Sequence, residues 1–168
     1  MIALSTIFKY LSLIGSFAVV GSLLAMGFLL LDSHGKLSTS AKKLRTMLWI
    51  SGLTWSIGSI GVILFTLATI LDQPLSFALD STVLRSFLTQ ITLGQYLLFQ
   101  TLVALVITFA AIRVNKILTV IALLILTFIG LIAPVFQSHS ASSGSHGLAI
   151  GSLVIHVVAL SLWVGGVI

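Results

Sequence analysis

Five stretches of this chain, about 10–31, 47–71, 94–112, 117–136 and 148–168, contain no Asp, Glu, Lys or Arg, and none is shorter than 19 residues. A helix needs about 20 apolar residues to cross the hydrocarbon of a bilayer. With 168 residues in all, five such spans and short loops account for nearly the whole chain. Only 7% of the residues are charged and the mean hydropathy is +1.26. That is too little polar surface for a water-soluble globule, whose charged fraction is roughly a quarter. The composition excludes a cytosolic enzyme, a disordered tail and a nucleic-acid-binding domain. The reading is an all-α, polytopic transmembrane helical bundle forming a single domain, with the bilayer as its main partner.

The first span is too long for the apolar core of a signal peptide and has no small-residue cleavage site before the charged loop. Asp72-Gln73-Pro74 ends the second span, because proline offers no backbone donor and turns the chain. Between Leu75 and Leu93 the apolar residues Val83, Leu84, Phe87, Leu88 and Ile91 recur at helical spacing, opposite Arg85, Ser86, Thr89 and Gln90. This segment is either a short amphipathic helix lying in the interface or an outward extension of the third span. Arg113-Val114-Asn115-Lys116 forms a tight basic turn, and Gln137 to Gly147 is a loop rich in Ser that holds His139 and His146.

The cations set an orientation. With the N-terminus outside, the inner loops hold Lys36, Lys42, Lys43, Arg45, Arg113 and Lys116, and the outer segments hold only Lys9 and Arg85. Basic residues favour the cytoplasmic side. Segments 33–46 and 113–116 are therefore expected inside, and the loop with His139 and His146 outside. The last residues, Leu162 to Ile168, carry no polar tail, so the chain is expected to be the N-terminal piece of a longer protein.

Catalytic chemistry has little to work with. The chain has no Cys, and its three acidic residues are Asp32, Asp72 and Asp80, so Glu is absent. No nucleophile elbow, dinucleotide fingerprint or phosphate loop occurs. A non-enzymatic role is expected. The histidines hold the better candidates. His34 sits beside Asp32 and the basic loop and reads as a solvated interfacial residue. His139 and His146 share a loop of Ser and Gly that could bring two imidazoles to one ion, and imidazole suits copper, zinc and nickel. The plain alternative is a polar loop with two exposed histidines. His156 lies about 12 Å into the fifth span at 1.5 Å per residue. An ionisable group at that depth is costly and normally faces a bundle interior.

Ser145, Ala149, Ser152, His156, Ala159, Trp163 and Gly166 fall on one helical face, small or hydroxylic apart from the imidazole and the indole. Ser152, Ala159, Trp163, Gly165 and Gly166 are the expected packing residues of this span, and Gly147 and Gly151 provide a further close-approach pair. His156 is then either a functional group or a structural one satisfied by Ser152 or a carbonyl. In the second span, Ser51, Gly52, Ser56, Gly58, Ser59 and Gly61 read as helix packing. Gln95 is a candidate for a hydrogen bond across the bundle. Met26 and Met47 lie towards the inner face, far from the outer histidines, which leaves any outer soft-metal site dependent on imidazole.

The loop from Ser138 to Ala149 followed by His156-Val157-Val158-Ala159-Leu160-Ser161-Leu162-Trp163-Val164-Gly165-Gly166 resembles the bacterial copper resistance D (CopD) family. With Gln73 to Ser76, Val83 to Leu88 and Leu93-Gly94-Gln95, it is similar to the actinobacterial proteins that fuse a CopD half to a cytochrome c oxidase assembly (CtaG-like) half. The likeness covers about residues 70–168. Ser138 departs from the Gly that many members carry before the loop histidine. The resemblance implies a plasma-membrane protein that handles copper, either for resistance and transport or for supply to oxidase assembly, with assembly components as partners and no nucleic acid. It makes His139, His146 and His156 candidate copper ligands. His146 and His156 would be about 15 Å apart along a continuous helix, so a capture site and a relay site fit better than one shared ion. Two other readings compete: a membrane b-type cytochrome holding haem, which needs a second intramembrane histidine, and a structural or assembly bundle without metal.

Overall fold

The computed structural model describes residues 2–29, 34, 36–38, 41–138 and 146–167. It is an all-α polytopic bundle. The helices are α1 (Ile2–Leu24, continued by a π-helical turn over Ala25–Leu29), α2 (Ala41–Leu71), α3 (Leu75–Ala78), α4 (Ser81–Gln90), α5 (Thr92–Ala111), α6 (Ile117–Ile132), α7 (Val135–Ser138) and α8 (His146–Val167). Four segments, Ala3–Gly27, Lys43–Leu71, Thr92–Ala111 and Ile150–Val167, are long and apolar enough to cross a bilayer. The 16-residue α6 is equally apolar and shorter. It spans about 24 Å, and the chain resumes as α7 after the Ala133-Pro134 break. α1 and α2 both begin earlier than the apolar runs alone predict, at Ile2 and Ala41. Helical hydrogen bonding continues past the hydrocarbon edge because nothing in the flanking sequence stops it.

Small residues bring the first helices together. α1 and α2 run antiparallel: a methyl group on Gly15 would lie 2.5 Å from the Trp55 backbone nitrogen, and one on Gly58 would strike the Ser12 backbone. Lipid tails supply no hydrophobic drive between helices, so close backbone approach and interhelical hydrogen bonds hold them. The Ser12 and Ser59 hydroxyls meet at 3.1 Å in the buried seam. α2 packs on α5 in the same way: Gly52 abuts Thr108, and the Ser56 and Thr108 hydroxyls lie 3.3 Å apart. Ser51, Ser56 and Ser59 are all buried. The second span's small residues are thus packing residues.

The core has two parts. One collects Val19, Val20, Leu23, Met26, Leu48, Trp55, Ile107 and Val120. The other, under α3 and α4, collects Ile63, Leu67, Ala78, Phe87 and Leu97. Within the second part, the chain turns by a helix stop of known geometry. The amides of Asp72 and Gln73 return to the carbonyls of Thr69 and Ala68, Asp72 takes the left-handed backbone at φ 52°, and Pro74 follows. α4 is a separate amphipathic helix. Asp80 caps it by accepting from the Thr82 and Val83 amides at 2.8 and 3.2 Å. Phe87 is buried and Arg85, Thr89 and Gln90 are exposed. The extended backbone of Ile91 separates it from α5. Gln95 bridges that break locally, donating to the Thr89 carbonyl at 2.7 Å.

Candidate functional site

α8 carries the histidine that the sequence places deepest in an apolar span. It is one continuous helix from His146 to Val167, so ten residues separate His146 and His156, about 15 Å of rise. Two ligands of one ion each sit about 2 Å from it, and these two imidazoles therefore cannot share an ion while the helix is intact. His139 lies outside the described residues. His34 is exposed in a turn at the other end of the bundle. Among the described residues, no cluster of three His, Asp or Glu side chains forms a metal site.

The face of α8 that meets the rest of the chain is not the histidine face. Gly165 and Ser161 are buried. A methyl group on Gly165 would lie 2.8 Å from the Gly21 nitrogen and 3.0 Å from the Phe17 carbonyl oxygen, so α8 crosses α1 at a glycine-on-glycine contact. Ser161 returns its hydroxyl to the Val158 carbonyl at 2.9 Å, as an unpaired hydroxyl in a dry seam must. Ser152, His156, Ala159, Trp163 and Gly166 are exposed on the opposite side, about 150° round the helix at 100° per residue. Trp163 is 71% exposed, and among the described residues no atom outside the helix lies within 4 Å of a methyl placed on Gly151 or Gly166. Of the expected packing residues, then, Gly165 packs against α1 and the other four face outward from this chain. Within Ile150–Val167 His156 is the single ionisable residue, and it stands on that outward face.

The opposite end of the bundle has a feature that sequence spacing does not single out. Asn115 joins the two basic segments. Its backbone carbonyl accepts from the Leu37 amide at 3.1 Å, its side-chain oxygen accepts from Arg45 Nη2, and Lys36 pairs with Lys116 in an isolated antiparallel bridge. The segments assigned to the same side from charge alone do meet at one end. The one signal for Asn115 was a lone amide inside a four-residue turn of cations.

A family model for the N-terminal domain of copper resistance protein D-like proteins matches residues 1–149. The chain belongs to this family. No curated protein and no solved structure matches it. The matched segment ends four residues into α8, so it takes in His139 and His146 and stops short of His156 and the Trp163-Val164-Gly165-Gly166 element. The match also begins well before residue 70, where the sequence resemblance starts. This copper resistance D-like chain is thus a copper resistance-related membrane protein, and the assignment rests on the stretch from α1 into the first turn of α8.

Proposed function

We propose that this chain handles copper in the bacterial plasma membrane, moving it for resistance or supplying it to oxidase assembly. His139 and His146 capture the ion at the outer end of α8, and His156 relays it inside the bilayer. The observation that carries the reading is an ionisable imidazole in the middle of an apolar helix, on the face turned away from α1, in a copper resistance D-like chain. Imidazole facing lipid alone would be costly, so that face has a use that offsets the cost. Neutral imidazole is also a good copper ligand.

The deciding experiment compares two substitutions in the full-length protein. His156→Gln retains size and hydrogen bonding and is a far weaker metal ligand, whereas His156→Ala loses both. For a relay site, the two variants abolish copper-dependent growth equally while expression and thermal stability in detergent stay near wild type. A His156→Gln protein that functions normally removes His156 from the copper path and returns it to a structural role.

The proposed orientation puts the N-terminus outside. Because the chain has no cysteine, single cysteines report cleanly. Ser142→Cys should react with an impermeant thiol reagent in intact cells and Ser40→Cys should not. The reverse pattern would turn the loop histidines to the cytoplasm and end the capture proposal.

A further inference from the structure

At the basic end, a groove of about 370 Å³ opens between the start of α2 and the end of α5, lined by Arg45, Thr46, Trp49 and Ile112. Its lining divides by chemistry. Arg45 and Thr46 form a polar mouth. Trp49 and Ile112, 38% and 61% exposed, form an apolar wall. Arg45 and Trp49 are one turn apart on the same side of α2, so the guanidinium stands above the indole along the groove.

We propose that this groove binds one anionic phospholipid of the adjoining leaflet, with its phosphate at Arg45 and Thr46 and its glycerol and upper acyl chain against Trp49 and Ile112. Three observations carry it. The guanidinium is fixed at the mouth: Nη2 donates to Asn115, and the Arg45 side chain as a whole is only half-buried. The surroundings are of one sign: Lys36, Lys43, Arg113 and Lys116 are exposed around the joined loops, and segments 33–46 and 113–116 contain no carboxylate. The nearest acid in sequence, Asp32, lies outside the described residues. Finally, the apolar wall suits an amphiphile and offers nothing to a free anion. A zwitterionic lipid brings an ammonium group that this surplus of cations repels. An anionic headgroup answers it, and basic pockets between spans are recurrent sites for such lipids.

The test uses the whole chain in nanodiscs of equimolar phosphatidylglycerol and phosphatidylcholine, released and weighed by native mass spectrometry. The expected result is selective retention of one phosphatidylglycerol. Arg113→Gln should cut that retention about fivefold, Trp49→Ala should also reduce it, and Lys9→Gln at the far end should leave it unchanged. Arg45→Gln should cut it further. Because Arg45 also holds Asn115, its melting temperature in phosphatidylcholine discs is compared with wild type. If Arg45→Gln does not fold, Thr46→Val, which breaks no loop contact, takes its place. Equal retention of the two lipids, or full retention in Trp49→Ala and Arg113→Gln, overturns the proposal. Displacement of the lipid by millimolar inorganic phosphate overturns it too, since the groove would then be a simple anion site.

Discussion

The α1–α2 pair and α8 are both long and apolar, and they are held in opposite ways. Half of the α2 window Lys43–Leu71 is buried within this chain, against 11% of Ile150–Val167 in α8. α2 meets α1 at Gly15 and Gly58 and meets α5 at Gly52, each time backbone to backbone or backbone to hydroxyl. α8 rests mainly on α1, through the Gly21–Gly165 crossing. Where small residues occur on both partners at matching heights, helices lock. Where they occur on one helix only, as at Ser152, Ala159 and Gly166, the stripe stays uncovered by the described residues. A run of small residues therefore marks a surface able to pack closely, and the identity of its partner is a separate question.

The contrast can be broken from either side. The largest stability effect is expected in the locked pair. Gly58→Leu drives a side chain into the Ser12 backbone and should cost about 3 kcal/mol, read as a fall in detergent or urea midpoint. A near-wild-type midpoint would mean that α1 and α2 are not in contact there. Gly21→Leu attacks the looser contact. α8 can yield by moving off, so global stability should fall by about 1 kcal/mol, and amide exchange should accelerate in α8 with α2 unchanged. Equal acceleration in both helices would make α8 part of the same cooperative unit.

Ser59→Ala removes one interhelical hydroxyl contact and should cost about 0.6 kcal/mol, the average for such bonds within a membrane. A double-mutant cycle with Ser12→Ala isolates that value. The smallest effect belongs to Gly166→Ala. Its added methyl meets nothing among the described residues, so the change should stay within about 0.5 kcal/mol. A large loss there would show that the uncovered stripe is packed in the working protein, against a surface other than α1.

Much of this molecule was legible in its sequence, for physical reasons that can be named. Long uncharged runs specify helices, because a segment in hydrocarbon must satisfy its own backbone. Asp72-Gln73-Pro74 stops α2, and Asp80 starts α4, through local hydrogen bonds that need no tertiary partner. The two basic loops were placed on one side by charge and do meet, at Asn115. The amphipathic stretch after Pro74 had two readings, and the extended Ile91 decided for a separate helix, a choice of backbone conformation that periodicity does not encode. The candidate site was legible by residue type only. His156 stood out as the ionisable residue in an apolar span, yet its stripe looked fit to face the bundle.

What the sequence determined alone is the long apolar helices, the stop at Asp72-Gln73-Pro74 and the end at which the cations gather, since each follows from short-range chemistry of the chain with itself, water or lipid. What only the tertiary structure decided is which of two small-residue faces α8 uses. Gly165 was equally available with Gly166, and Ser161 with Ser152. The selection came from Gly21 on α1, which offers backbone with no side chain at the height where Gly165 arrives. Close packing needs two matching surfaces, and a single helix's sequence describes only one of them.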